Sequence, residues 1–337
     1  MENNKNMSIK QIAELSGVST ATVSRVINNN GRFSEDTRKK VMDIIKEYDY
    51  TVNMTAKSLR MSKSKTIGII VPDITNEFFS EIVLEIEKFF FSSGYSVFIC
   101  NTNQEDMKER EYFRSLDSKL VDGIICISGR ENIPMDSIKR KIPIVCIDRK
   151  PKYDSTAIYV ESDHYLGGFM ATEELINKGC KHILILTKAK SLSVNKQRLD
   201  GYTDALKKHN YPVNEELIVK LGGTCSNFDE SRDTVNYLLK KGIIFDGIFA
   251  SNDWRAYGAL VALKENEIPV PTKVKIVGFD GISVSKYCYP SITTIYQDKK
   301  ALALESADLL LSLIKGEEIN NSQHIVIPVS LIQRETT

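Results

Sequence analysis

The sequence predicts an α/β protein in which a small helical unit precedes two units of parallel sheet. Two patterns carry this reading: three short capped amphipathic segments lie between residues 8 and 48, and from Thr66 short apolar runs alternate with amphipathic helices in two sets of four. Charge separates the parts. Residues 1–65 hold twelve Lys and Arg against seven Asp and Glu, a net of +5, whereas the remainder holds 33 against 37, a net of −4. A basic excess confined to one end is what a nucleic-acid contact requires, although a solvated charged face gives the same count.

At 337 residues the chain exceeds one compact core, so one small domain and one or two larger ones are expected. A hydrophobic content of 42% with 26% charged residues is that of an ordinary folded protein. No apolar run approaches the roughly 18 residues of a membrane helix, and the opening MENNKNMSIK lacks the apolar centre of a secretory signal. A cytoplasmic location without a membrane partner is expected. Cys100, Cys126, Cys146, Cys180, Cys225 and Cys288 form no CxxC pair, and three of them lie in or at the end of apolar runs, which fits buried reduced thiols. Four dispersed histidines offer no ligand spacing, so no metal and no other cofactor is expected.

Ser8 and Gln11 form a capping box, Ile9, Ile12 and Ala13 share one helical face, and Gly17 ends the first helix. Ser19 caps a second helix whose Val23, Val26 and Ile27 follow the i, i+3, i+4 rule, and burying them turns Thr20, Ala21, Ser24, Arg25 and Asn28 outward. After NNNGRF, Ser34 caps a third helix with Val41, Ile44, Ile45 and Tyr48 on its inner side. Such a trio, with glycine in its first turn, makes a helix-turn-helix. A helix that must lie in a groove about 12 Å wide needs small outward residues. Arg25 can take a guanine edge bidentately, Thr20 can bond a base or touch a thymine methyl, and Ala21 can meet a methyl. Ser19, Thr22, Ser24 and Asn28 carry short donors suited to phosphate oxygens. A protein-docking module would carry larger apolar anchors.

The stretch IKQIAELSGVSTATVSRVINNNGRFSEDTRKKVMDIIKEYDY, followed by NMTAKSLR, resembles the DNA-binding headpiece and hinge of the LacI/GalR repressor family. The resemblance continues through TIGIIVPDITNEFF, VDGII, IDR, FASND, VGFD and TTIYQD, covering nearly all of the chain from Met7. It implies an N-terminal three-helix helix-turn-helix headpiece over residues 1–50 and a hinge over 51–65. Beyond these it implies a periplasmic-binding-protein-like core of two doubly wound parallel-sheet lobes with three crossovers, the first lobe taking 66–160 and 292–322 and the second 161–291 and 323–337. By the same resemblance Thr20, Ala21 and Arg25 read bases, and Asn53 to Leu59 form a hinge helix on operator DNA. Leu59 matches a leucine wedged into the minor groove, and Lys57 stands where many relatives have arginine. An apolar wedge opens a base step at a cost of a few kcal/mol, offset by contacts to the bent duplex.

In the body, strands are expected at 66–71, 96–100, 123–127 and 143–147, then at 182–187, 217–220, 247–251 and 274–279. The segment 156–161 reads as a passage between the two runs, with 292–296 and 324–333 as later strands that cross back. Open α/β sheets bind ligands beyond the carboxyl ends of their strands. Residues there are Asn76, Phe78, Phe79, Asn101, Asn103, Asp148, Arg149, Arg198, Asn252, Asp253, Asp280 and Gln297. Aromatic faces with planar, multiply bonding polar groups have carbohydrate chemistry. Singly, the phenylalanines fit a core, an Asp after a strand fits a helix cap, and Asp148 with Arg149 fits a surface pair; their joint placement on one rim favours a ligand.

The same set resembles the pocket of ribose-type sugar-binding proteins and their repressor relatives. This implies that Phe78 and Phe79 sandwich a sugar ring while Asp148, Arg149, Arg198, Asn252, Asp280 and Gln297 bond its hydroxyls, with Asn76 on the rim. No second aromatic side is placed, because Phe228 lies in a segment without a fixed register. Asp163-His164 stands where relatives have Asp-Asn, which puts a bond behind the ligand in doubt, and Asp280-Gly281 replaces a pair of aspartates.

The sequence has no GxGxxG after a strand, no GxxxxGK[ST], no GxSxG and no HExxH, so no catalytic residue is expected. Asp148 and Asp280 could pair for glycoside cleavage, but hydroxyl binding accounts for both. The expectation is a homodimeric, sequence-specific transcriptional regulator, a repressor, that binds double-stranded operator DNA and responds to a small sugar, a pentose or other monosaccharide. Alternatives are control by a nucleobase or by a phosphorylated carrier protein docking on the first lobe, or a non-regulatory sugar-binding protein, which should carry an export signal and no headpiece. No leucine heptad follows Arg334, so a tetramer built that way is not expected.

Overall fold

The computed structural model describes residues 7–50, 63–127, 133–148, 150, 158–189, 193–222, 226–317 and 324–337. It divides into two units, Met1–Ser64 and Lys65–Thr337. The first holds α1 (Ile9–Ser16), α2 (Thr20–Ile27) and α3 (Glu35–Glu47). Ser8 and Gln11 form the capping box, with the Ser8 N–H donating to Gln11 Oε1 at 2.8 Å and the Gln11 N–H to Ser8 Oγ at 3.3 Å. Gly17 ends α1 at φ 67°, a left-handed position where a side chain would be strained. Ser19 and Ser34 cap α2 and α3.

Ile12, Ala13, Val23, Val26 and Val41 form the centre, with Met7, Val18, Phe33, Ile44, Ile45 and Tyr50 around them. Tyr48 departs from its expected inward place and is 47% exposed. Helix α3 ends at Glu47, and the backbone reverses at Asp49, φ 47°, which carries Tyr50 inward instead.

The second unit contains two sheets. The first comprises β1 (Thr66–Val71), β2 (Ser96–Asn101), β3 (Gly123–Ile127), β4 (Ile144–Ile147), β5 (Ile158–Ser162) and β11 (His324–Ile327), in the order β11-β5-β4-β3-β1-β2. The other comprises β6 (Ile183–Lys188), β7 (Ile218–Leu221), β8 (Gly247–Ala250), β9 (Lys275–Asp280), β10 (Thr293–Gln297) and β12 (Val329–Ile332), in the order β12-β10-β9-β8-β6-β7. Neighbours are parallel except β10 and β12. Each sheet reverses its strand order at its first strand, β1 or β6, the doubly wound pattern that opens a crevice at the strand ends.

Helices cover both faces of these nearly continuous apolar strands. In the first lobe, α4 (Glu77–Ser92) lays Phe78, Ile82, Ile86 and Phe90 on Ile67, Ile69, Ile125 and Val145, while α5 (Asp106–Ser118) sets Phe113 and Leu116 on Ile70, Ile124 and Cys126. In the second, α6 (His164–Asn177) and α7 (Ser193–Lys208) cover one face, and α8 (Asn227–Lys240) and α9 (Asp253–Glu265) the other. The short α10 (Ser283–Tyr287) packs on α9. Helix α11 (Lys299–Lys315) packs on α4 in the first lobe. Cys100, Cys126, Cys146 and Cys180 are buried free thiols, and Cys225 lies outside the described residues. Among the described residues no helix is long and apolar enough to cross a membrane.

Three expectations change. The segment 156–161 contains β5, a full member of the first sheet paired with β4 and β11, rather than a passage. Residues 292–297 stay with the second lobe, because β10 pairs with β9 and Ile295 packs beside Phe279. Residues 324–327 return to the first lobe as its edge strand. Among the described residues the chain crosses between lobes between Ser162 and His164, between Gln297 and Lys299, and between Ile327 and Val329.

Helices α6 and α7 meet backbone to backbone. A Cβ on Gly201 would lie 2.1 Å from the Tyr165 carbonyl oxygen, and one on Gly168 would lie 2.2 Å from that of Arg198. Nothing flexible can yield there. Overpacking costs about 1–3 kcal/mol, so Gly201→Ala should lower the melting midpoint of the lobes by about 5 °C in calorimetry; an unshifted midpoint would show that the helices have room.

Candidate nucleic-acid interface and ligand cleft

On α2, Thr20, Ala21, Arg25 and Asn28 are exposed and Ser24 is half-buried, as burial of Val23 and Val26 requires. Arg25 extends from the last turn along Gly31, where a Cβ would come within 3.3 Å of its Cδ. The phosphate candidates are partly engaged already. Ser19 Oγ accepts the Thr22 N–H at 3.1 Å and pairs with Thr22 Oγ1 at 3.0 Å, and Asn28 Nδ2 donates to the Ser24 carbonyl at 2.7 Å. Asn53, Lys57 and Leu59 lie outside the described residues, as does Arg149.

Between the lobes is a cleft with about 190 Å³ of free volume at the carboxyl ends of both sheets. It gathers Asn76, Phe78, Phe79, Asp148, Arg198, Asn252 and Asp280, as expected from the sequence. Gln297 does not line it; fully buried behind, it donates Nε2–H to Asp280 Oδ1 at 2.7 Å and so orients a lining residue. Asn101, Asn103 and Asp253 also stand back. Asn101 accepts the Ile74 N–H at 3.1 Å and donates to Asn103 at 3.0 Å, tying the two strand-end loops together. Phe78 and Phe79 meet edge to face, with centroids 5.3 Å apart and planes at 72°, which leaves no slot between them. They wall one side rather than sandwich a ring, with Phe78 largely in the core of its lobe. Phe228 packs on Tyr257 at 5.3 Å, between α8 and α9.

The two asparagines are split in use. Asn76 Oδ1 accepts the Phe78 N–H at 3.1 Å and Asn252 Oδ1 accepts the Arg255 N–H at 2.8 Å, so each carbonyl caps a helix. Neither amide NH2 has a hydrogen-bond partner among the described residues.

At the floor, a polar chain joins the lobes. Arg198 donates to His164 Nδ1 from Nε at 3.3 Å and Nη2 at 3.2 Å, and from Nη1 to the Ser251 carbonyl, with its guanidinium 3.7 Å above the Phe279 ring centre. A guanidinium only donates, so His164 accepts at Nδ1 and gives its Nε2–H to Asp148 Oδ1 at 2.8 Å. His164 thus makes the bond that Asp163-His164 had put in doubt. Burial alone would raise Asp148, yet the imidazole, the Ser162 N–H and Arg198 together hold it below the usual carboxylate range. Asp280, facing Arg198 at 3.7 Å, is pushed by burial up to about 6 against the pull of Arg198 and Lys299. Both aspartates sit at positive φ, 51° and 104°, strained backbone of the kind held at binding sites.

Beyond these, the cleft is lined by Thr102, Gln104, Lys188, Asn195, Asn227, Ser251 and Arg255, which sequence reasoning missed. Arg255 carried a signal: it is a lone arginine among Ala256, Gly258, Ala259 and Ala262, directly after a strand end. Among the described residues no cluster of His, Cys, Asp or Glu could hold a metal ion.

Residues 8–53 match the family model for bacterial regulatory proteins of the lacI family, and residues 172–337 match a periplasmic binding protein-like domain. The chain is 36% identical to the HTH-type transcriptional regulator MalR of Clostridium butyricum over 342 residues, covering 98% of this chain and 99% of that one. The chain belongs to the lacI family. Two solved structures of similar proteins extend the comparison. The lac repressor dimer bound to operator and the anti-inducer ONPF superposes with a TM-score of 0.86 at 27% identity, covering 98% of this chain and 99% of that one. A LacI family regulator from Enterococcus faecium with bound ribose gives 0.71 at 28% identity, covering 81% and 98%. This lacI-family protein is accordingly a DNA-binding transcriptional regulator built on a two-lobed core, and not an enzyme.

Behind the floor of the lacI-family cleft, Asp253 receives Thr294 Oγ1–H at 2.6 Å and the Ile282 N–H at 2.8 Å. Burial first, then the charge of Asp280, pushes it up to about 8. The native state therefore keeps a proton that the unfolded chain releases near pH ~4, so this group costs stability as pH rises from there through about 8. Asp253→Asn should remove that slope. Urea midpoints at pH 5 and pH 8 test it: the wild type should lose more between the two than the variant, and equal losses would mean that Asp253 ionises normally.

Proposed function

We propose that this regulator is a homodimeric repressor whose grip on a pseudo-palindromic operator is set by a small sugar closing the two lobes. The observation that carries the effector reading is the Asp148–His164–Arg198–Asp280 chain, which sets acceptors and donors from both lobes on one floor beside the Phe78/Phe79 wall. Sugar hydroxyls both donate and accept, so such a floor can bond them from either side. The ribose-bound Enterococcus relative supports the same class of ligand.

On the DNA side, Thr20, Ala21 and Arg25 read base edges in the major groove, and Ser19, Thr22, Ser24 and Asn28 hold phosphates. Asn53, Lys57 and Leu59 act at the minor groove, with Leu59 as the wedge. One headpiece makes too few contacts for operator affinities of ~10⁻⁸ to 10⁻¹¹ M, and pairing two on a symmetric site supplies the rest. The lac repressor solved as a dimer on its operator supports that arrangement. Lobe closure shifts the free energy of hinge docking; a coupling of roughly 1–3 kcal/mol changes operator affinity about 5- to 150-fold, and the operator changes sugar affinity by the same factor.

Fluorescence anisotropy with a palindromic operator duplex tests both halves. Arg25→Ala should cost about 10- to 100-fold, and Asp148→Ala should leave DNA affinity intact while abolishing the response to sugar. Affinity indifferent to pentoses and hexoses, with a nucleobase or a phosphorylated carrier protein producing the shift, would replace the sugar. Failure to hold any palindrome at low salt would remove the DNA reading.

A further inference from the structure

The segment after β9 belongs to the second lobe by its strand and by the packing of α10 on α9, yet residues of the first lobe hold it. Asp280 ends β9 at the cleft, and the backbone passes Asp280 and Gly281 at φ 104° and 68°. Two successive residues at positive φ, the first of them carrying a side chain, persist only where their surroundings over-determine them. Lys299, at the start of α11 and 5% exposed, brings Nζ to the Gly281 carbonyl at 3.2 Å and to the Asp280 carbonyl at 3.4 Å. Glu77, at the start of α4, takes both donors of Ser283, the N–H on Oε1 at 2.9 Å and the hydroxyl on Oε2. Between these grips Ile282 is 2% exposed, and its side chain packs in the core of the first lobe with Phe78, Ile82 and Leu302.

The two grips are joined. Glu81, one turn after Glu77 on α4, stands 3.4 Å from Lys299 Nζ and hydrogen-bonds Glu77. Burial raises Glu81, and the bond to Glu77 adds to the rise against the pull of Lys299. Burial acts on Glu77 too, but the Ser283 donors, Glu81 and Lys299 hold it below the usual carboxylate range. Glu77 therefore stays an acceptor, as its place opposite two donors requires.

We propose that Lys299 and Glu77 are positioning residues for the effector: from the first lobe they hold the Asp280–Ser283 segment of the second, so that the Asp280 carboxylate takes its place on the cleft floor when the lobes close and loses it when they part. This rests on the sugar-cleft reading above.

The hold itself is tested without a ligand. In hydrogen-exchange mass spectrometry of the full-length protein, Glu77→Gln should speed exchange over residues 281–287 at least about tenfold and leave 275–279 unchanged. Faster exchange in both segments, or in neither, would overturn the hold.

Its effect on the floor is read in a pH profile. Asp280 faces Arg198 of α7, His164 of α6, Asp148 after β4, Asp253 and Arg255 of α9 and Lys299 of α11, and burial pushes it up to about 6 against Arg198 and Lys299. A carboxylate accepts a hydroxyl more strongly than a neutral acid does, so sugar affinity should rise with pH through about 6. Calorimetric titrations with D-ribose, D-xylose, D-glucose and D-galactose between pH 5 and pH 8 measure it. Lys299→Met withdraws one positive charge from Asp280, and should move that midpoint upward and weaken the sugar about tenfold at pH 7. Lys299→Arg, which keeps the charge, should restore the midpoint and serves if the methionine variant melts early. Glu77→Gln should weaken the sugar without moving the midpoint. A wild-type profile flat through pH 6, or one that Lys299→Met leaves in place, would overturn the positioning role and leave the sugar cleft standing. Binding of none of the four sugars at any pH would remove the sugar reading, while hydrogen exchange still decides the hold.

Discussion

Everything at the cleft depends on how four buried polar groups satisfy one another away from water. Arg198 can only donate and Asp148 can only accept, and His164 between them has one nitrogen for each role. This fixes the ring's tautomer and with it the position of Asp148 on the opposite lobe. Buried charges are costly unless paired and hydrogen-bonded, so the arrangement has few alternatives. It is reached because α6 and α7 touch backbone to backbone at Gly168 and Gly201, which brings His164 at the start of one helix against Arg198 on the other. Side chains on helix starts and strand ends thus form the site, and the packing behind them sets it.

A ligand can shift an equilibrium only by as much as it prefers one state over another. The walls of the cleft come from different lobes, so a ligand touching both would prefer one arrangement of the lobes over another. Lys188 donates to Gln104 across the cleft, and the Ser283 N–H donates to Glu77 Oε1 at 2.9 Å. Glu77 opens α4, whose next residues Phe78 and Phe79 form the aromatic wall, while Ser283 follows closely after Asp280. The walls are thus joined by these two hydrogen bonds, by Lys299 of α11 donating to the Gly281 carbonyl at 3.2 Å, and by the floor.

Much of this was legible in the sequence, for identifiable reasons. Caps and periodicity marked all three headpiece helices, because Ser8, Ser19 and Ser34 satisfy orphan backbone donors that few other residues can. Apolar runs marked the parallel strands, since a strand covered on both faces needs no polar side. Asn76, Phe78, Phe79, Asp148, Asn252 and Asp280 line the cleft because strand ends face the crevice, whereas Asn101, Asn103, Asp253 and Gln297, read from the same positions, stand behind it. Lobe membership of the last strands was not legible. Ile295 and Ile325 are equally apolar, and only pairing partners decide that the first belongs with Phe279 and the second beside Val160. Geometry that depends on ring orientation, as for Phe78 and Phe79, and contacts across helices, as for His164 with Arg198, left no one-dimensional trace strong enough to assign a role.

The return of β11 to the edge of the first sheet sets an order of assembly during synthesis. The headpiece core draws only on Met7 to Tyr50 and can close while most of the message is untranslated. The neighbouring sheet must wait: β5 pairs with β11, a segment made roughly 160 residues later. Until that partner leaves the ribosome, β5 presents an unpaired edge, and an unpaired edge is where nascent chains associate wrongly. At about 5–20 residues per second, a cell making this protein therefore holds, for roughly 15–55 s per chain, a DNA-reading head attached to an unfinished second unit.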